Sequence, residues 1–229
     1  MPGILYAIPT PLGGRAGDAL PASALITVRS LRDFVVEDAK SARAFLKEVE
    51  MPCRIQDLRI STLQAEVSSH IGILNEGSSI GLLSEAGCPA IADPGAILVD
   101  AAHGAGIRVV PLIGPSSIVL ALMASGLEGQ RFAFCGYLPR EAEERKKKIR
   151  ELEARSRRER ETQIFIETPY RNDVLFASLL EVLSEKTSLC IATDLTLGTE
   201  EIRTQFISRW RGARRSIGKR PAVFLLFSG

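Results

Sequence analysis

Three short stretches have residue types suited to holding a ligand against main chain. They are residues 9–14, 84–95 and 114–117, each rich in Gly, Pro and small polar residues. Glycine lets a ligand touch the backbone, and proline holds a loop's shape without an intruding side chain. Any one Gly-Pro cluster reads equally well as a tight turn; three at strand ends of one sheet point to a binding site. Other site chemistries lack their residues. The run Gly104-Ala105-Gly106-Ile107-Arg108-Val109 lacks the third glycine of a dinucleotide fingerprint and follows a helical stretch rather than a strand. No phosphate-binding P-loop and no Gly-x-Ser-x-Gly nucleophile turn occurs. The four cysteines, at 53, 88, 135 and 190, form no Cys-x-x-Cys pair, and two isolated histidines, His70 and His103, do not suggest zinc. Metal: none is expected.

The elements that would carry these loops show in the apolar pattern. Residues 4–8, 34–36, 80–83 and 107–112 are short continuous apolar runs, read as strands. Helical spacing alternates with them over 21–31, 41–49, 63–74, 95–103 and from 114 to 124. Continuous rather than alternating apolar strands predict a parallel sheet covered on both faces. In such a sheet ligands bind beyond the carboxyl ends of the strands, where the three loops fall. After Gly126 the pattern restarts, with strands at 132–135, 163–167, 188–192 and 222–227 and helices at 139–158 and 172–183. The fold class predicted is α/β, two tandem α/β domains over 1–114 and 115–229.

The chain has 229 residues, 45% hydrophobic and 24% charged, which fits a globular protein and excludes a disordered or collagen-like one. No apolar run reaches the roughly 20 residues of a membrane span, and the start lacks a signal peptide's basic region, so a reduced cytoplasmic setting is expected. Net charge is +2, unevenly spread: residues 1–139 carry 10 Lys+Arg against 13 Asp+Glu, and 140–229 carry 19 against 14. Residues 140–160 interleave both signs, as in a helix laced with ion pairs; residues 203–220 hold seven cations and no acid, equally suited to an exposed loop or a patch for a polyanion such as RNA.

The loops carry a resemblance. The run from Leu83 to Gly95, Leu-Ser-Glu-Ala-Gly-Cys-Pro-Ala-Ile-Ala-Asp-Pro-Gly, resembles a signature of the tetrapyrrole methylase superfamily of S-adenosylmethionine (SAM)-dependent methyltransferases. The similarity is greatest to the branch that methylates small-subunit ribosomal RNA on a cytidine 2′-hydroxyl. Leu5 to Gly13, Val36 to Lys40, Gly114 to Ser117, Gly136 to Pro139 and Phe165 to Arg171 match in the same order, nearly end to end. Four positions depart from that branch: Glu85 stands for Asp, Cys88 for Thr, Gly14 for Asn and Lys40 for Arg.

The resemblance implies SAM as cofactor, held largely by main chain in a cleft between the two domains. Pro11, Ser84, Ala86, Gly87, Cys88, Ile91, Ser116, Ser117, Ile118, Glu167, Asp194 and Leu195 would bind it. A ribose hydroxyl needs a base, and Glu37, Glu85 and Asp93 are the candidates. Each has a structural alternative: Asp93 could cap a helix, Glu37 could pair with Lys40 or Arg43, and Glu85 could hold its loop. Ribosomal RNA or the small subunit is the implied partner, and a homodimer the implied assembly. Methylation of a tetrapyrrole or other small molecule, and a non-catalytic SAM- or RNA-binding role, are the alternative functions.

Overall fold

The computed structural model describes residues 1–212 and 216–229, which divide into two compact units, Met1–Ser116 and Ser117–Gly229. The first unit contains β1 (Ile4–Ile8), α1 (Ala16–Ala19), α2 (Ala22–Ser30), β2 (Asp33–Val36), α3 (Ala39–Glu48), β3 (Arg59–Thr62), α4 (Val67–Asn75), β4 (Ile80–Leu83), α5 (Ala96–Gly104) and β5 (Arg108–Pro111). Its sheet runs in the order β3-β2-β4-β1-β5 with every pair parallel. Neighbouring residues of one strand serve opposite cores. Phe34 and Val36 pack with Val28, Phe45 and Leu46 on one face, and Val35 packs with Leu74, Leu98 and Ala102 on the other. Two-sided burial is why these strands are apolar throughout. Asp38 begins α3 by accepting hydrogen bonds from the main-chain N–H groups of Lys40 and Ser41, a side-chain cap that fixes where β2 turns into the helix.

The second unit contains α6 (Ser117–Ser125), β6 (Phe132–Tyr137), α7 (Ala142–Glu159), β7 (Thr162–Ile166), α8 (Asn172–Val182), β8 (Ser188–Thr193), β9 (Glu201–Phe206), α9 (Ile207–Gly212) and β10 (Ala222–Phe227). Its sheet, ordered β6-β7-β10-β8-β9, is mixed: β6 and β7 are parallel, and β10 runs antiparallel to both β7 and β8. The carboxyl ends of β6, β7 and β8 therefore share one edge. Its core centres on β10, where Phe224 is fully buried and stacks on Phe165 with ring centroids 5.9 Å apart.

Several elements differ from the sequence expectation. The helix predicted over 63–74 begins only at Val67, and residues 59–62, assigned to no element from sequence, form β3. β9, with sequence Glu-Ile-Arg-Thr-Gln-Phe, and α9 carry no apolar run that would betray them. The basic segment 203–220 is thus a strand and a helix through Gly212 rather than an exposed loop, and Arg214 and Arg215 lie outside the described residues. Much of its charge is bound within the protein. Arg203 lies over the Trp210 ring, Arg211 donates to the Leu180 and Leu183 carbonyls, and Arg220 pairs with Asp194. In α7 the expected ion pairs form, Lys146 with Glu143 and Lys148 with Glu151, and Lys146 also pairs with Glu181 of α8. Arg145 and Glu153 of α7 point inward. Arg145 donates to Ser178 Oγ, and Glu153 accepts from the Ser184 N–H.

Truncating Phe224→Ala should cost about 3–5 kcal/mol through lost burial and a residual cavity. Chemical denaturation of the variant would show it as a lowered midpoint.

Candidate active site

The parallel register assembles the first-unit site. Val36 pairs with Leu83, so Glu37 and Ser84 leave adjacent strands side by side. Ile8 also pairs with Leu83, which brings the Pro9 loop alongside. The loops are then tied to one another. Thr10 and Gly87 exchange two main-chain hydrogen bonds of 2.9 and 3.0 Å. Thr10 Oγ1 donates to the Ser84 carbonyl at 3.3 Å, and Ser84 Oγ donates to the Gly87 carbonyl at 3.1 Å. The Cys88 thiol donates to the Pro115 carbonyl at 3.4 Å. Gly114 completes the join by close approach, since a Cβ there would sit 2.4 Å from Pro9 Cβ. The sequence reading did not single out Thr10, although a polar residue between two prolines was the available signal.

The loop after β4 is held in an uncommon shape. Gly87, Ala90, Ala92 and Gly95 have φ of +81°, +64°, +65° and +135°. For the two alanines this is strained backbone, of the kind that persists where surroundings over-determine it. Ala86 and Ile91 are exposed on this loop, Ile91 at 49%, an unusual position for a large apolar side chain.

The three candidate carboxylates come together. Glu37 Oε2 accepts from the Glu85 main-chain N–H at 3.4 Å. Burial, then the charges of Glu37 and Glu85, push the Asp93 carboxyl up to about 6. Burial and the Asp93 charge also raise the Cys88 thiol, which keeps it protonated and unsuited to act as a nucleophile.

In the second unit the candidates lie at the shared carboxyl edge of β7 and β8. Glu167 is buried, lies 3.2 Å from Arg171 and accepts from the Thr168 N–H at 2.8 Å. Asp194 accepts from Arg220 Nε at 2.7 Å and from Thr199 Oγ1 at 2.9 Å. Burial opposes its ionisation, but Arg220 and Thr199 outweigh that and hold the carboxyl below the usual range. Leu195 is buried, as is Ile118 at the start of α6, next to Ser117; Pro11 is half-buried. Arg171 and Arg220, which fix these two acids, were not among the residues singled out from sequence. Among the described residues no group of His, Cys, Asp and Glu could hold a metal ion, and no helix is long and apolar enough to cross a membrane.

The fold has solved counterparts. Uroporphyrin-III-C-methyltransferase from Thermus thermophilus superposes with a TM-score of 0.56 at 20% identity, covering 98% of this chain and 94% of that one. The methyltransferase CobJ superposes with a TM-score of 0.65 at 18% identity, covering 100% and 95%. The architecture is that of the tetrapyrrole methylases. No family model matches this chain. Its similarity to curated proteins is more specific. The ribosomal RNA small subunit methyltransferase I of Vibrio cholerae is 36% identical over 200 residues, 87% of this chain and 67% of that protein. Those of Escherichia coli O157:H7 and Bacillus subtilis are each 34% identical, over 68% and 66% of their lengths. This chain belongs to the ribosomal RNA small subunit methyltransferase I family, and methyltransferases of this family use SAM.

The acidic cluster has a consequence for stability. The folded Asp93 carboxyl, at about 6, lies above its unfolded value of 3.8, so the fold binds this proton more tightly than the unfolded chain does. Stability is therefore lost as pH rises through that window. Asp93→Asn should raise the melting temperature relative to wild type at pH 8 and leave it unchanged at pH 4.

Proposed function

We propose that this protein transfers the SAM methyl group to the 2′-hydroxyl of a cytidine in small-subunit ribosomal RNA, with Asp93 accepting the hydroxyl's proton. The observation that carries the reading is the Asp93 carboxyl, raised to about 6 beside Glu37 and Glu85 on loops laced to the Gly87 turn. A base whose proton affinity lies just below working pH is mostly ionised yet still basic, the compromise that general-base catalysis favours. An Asp at its ordinary value would be a poorer acceptor. Burial, then the charges of Glu37 and Glu85, keep Asp93 proton-hungry.

Main chain of the Ser84–Gly87 turn, with Pro11, Cys88, Ile91, Ser116, Ser117 and Ile118, would hold SAM; Glu167, Asp194 and Leu195 are the second unit's candidates. The exposed Ile91 supports this, as an apolar surface for an adenosine-bearing ligand. Bound SAM supplies an electrophilic methyl on a sulfonium. Surrounding carboxylates favour its positive charge, and exclusion of water helps as that charge is lost in the transfer.

The excess of cations in residues 140–229 supports a polyanionic substrate. We further infer a homodimer working in the cytoplasm. Val119 and Met123 of α6, 47% and 76% exposed, support an apolar subunit contact.

Labelled SAM and small ribosomal subunits test the assignment. Methyl incorporation should fall about tenfold per pH unit below the Asp93 inflection. Asp93→Asn should lower the rate by about 100-fold or more. Transfer unchanged in that variant would remove Asp93 from the chemistry. In a separate measurement, Gly87→Trp should abolish calorimetric SAM binding, and unchanged affinity would take the turn out of the cofactor site.

A further inference from the structure

A pocket of about 180 Å³ lies in the first unit, at the opposite edge of the sheet from the candidate active site. Asp33, Arg59 and Ile80 on its wall are the first residues of β2, β3 and β4, whereas the laced loops follow the last residues of their strands. The register explains the wall. Asp33 pairs with Arg59 and Val35 with Ser61, so these four side chains share one sheet face. His70 and Ile73 of α4 close the pocket from above.

Two features single out this pocket. His70 is 2% exposed, and neither ring nitrogen has a hydrogen-bond partner. An unpaired buried polar group is costly and rare. Burial pushes the imidazole's proton affinity down, so the ring is neutral at physiological pH. A neutral imidazole carries its proton on one nitrogen and presents a lone pair on the other. The second feature is cancelled charge. Asp33, 4% exposed, is held by the guanidinium of Arg59 through two hydrogen bonds, leaving no net charge to attract an ion. Val35, Ile73 and Ile80 supply apolar walls, and Ser61 a hydroxyl.

We propose that this pocket is a second small-molecule site, for a neutral single-ring heterocycle that donates an N–H to His70. The size fits: a dry protein cavity of about 150 Å³ accommodates benzene, so 180 Å³ suits one ring with its polar substituents. An apolar body enters between the isoleucines, and a donor on its edge meets the histidine's lone pair. Nothing in the methyl-transfer chemistry uses His70, and the site stands whether or not the RNA assignment does.

Uracil is the probe, read by the ¹⁵N resonances of the histidine ring nitrogens. The chain has two histidines, and His103 is exposed on α5, an internal control assigned by His103→Gln. Uracil should shift the His70 resonances along a saturable curve, with a dissociation constant of about 1 mM or tighter, and leave those of His103 in place. Ser61→Phe should weaken binding at least about tenfold by filling the space; Ile73→Phe does so from the helix side should the first variant fail to fold. Absence of a saturable shift, or equal shifts at both histidines, overturns the proposal. So does benzene binding as tightly as uracil, since the polar edge would then contribute nothing. Orotate, the carboxylated analogue, binding more tightly than uracil would identify an anion site at Arg59 and overturn the assignment to neutral ligands.

Discussion

The reciprocal main-chain hydrogen bonds between Thr10 and Gly87 are the join on which the candidate active site depends. They fasten the loop after β1 to the loop after β4 without using a side chain at either end. Everything else in the site is placed relative to that join. Ser84 turns its hydroxyl inward to the Gly87 carbonyl, Cys88 reaches the Pro115 carbonyl, and Gly114 slides against Pro9. A ligand meeting this surface meets backbone whose hydrogen bonds are already committed to holding its shape. Such pre-organisation lowers the ordering cost of binding.

The acids show a different economy. Burial raises the Asp93 carboxyl, and the neighbouring Glu37 and Glu85 raise it further. A structure built only for stability would pair them with cations, as the second unit does with Asp194 and Arg220 or Glu167 and Arg171. The same residue type is thus held below its ordinary proton affinity in one unit and above it in the other. Burial opposes ionisation at both; Arg220 and Thr199 outweigh it at Asp194, and Glu37 and Glu85 add to it at Asp93.

Much of the fold was legible because two-sided burial leaves a plain mark. β1, β2 and β4 are unbroken apolar runs, and the loops after β1 and β4 announce themselves by glycine and proline. Of the four edge strands, β5 and β6 were legible, and β3 and β9 were not. β3 and β9 bury only part of themselves and read as polar segments, Arg-Ile-Ser-Thr and Glu-Ile-Arg-Thr-Gln-Phe. The meeting of Glu37 with Glu85 and Asp93 could not come from spacing, since it depends on β2 lying next to β4. The similarity to known methyltransferases suggested these residues as candidates; the strand order put them side by side. Charge counts misled in one respect. Arg203, Arg211 and Arg220 counted toward an uncompensated patch, yet each is engaged within the protein by a ring, a carbonyl or a carboxylate.

Ala90 and Ala92 hold left-handed backbone that most side chains avoid. Such positions admit few residues: glycine, asparagine and aspartate enter readily, and valine, isoleucine or threonine do not. Sequence drift along this stretch is thereby channelled by torsion angle rather than by contact with any ligand. Diverging copies of the gene should keep small or Asx residues at 90 and 92 even where their substrates have parted ways.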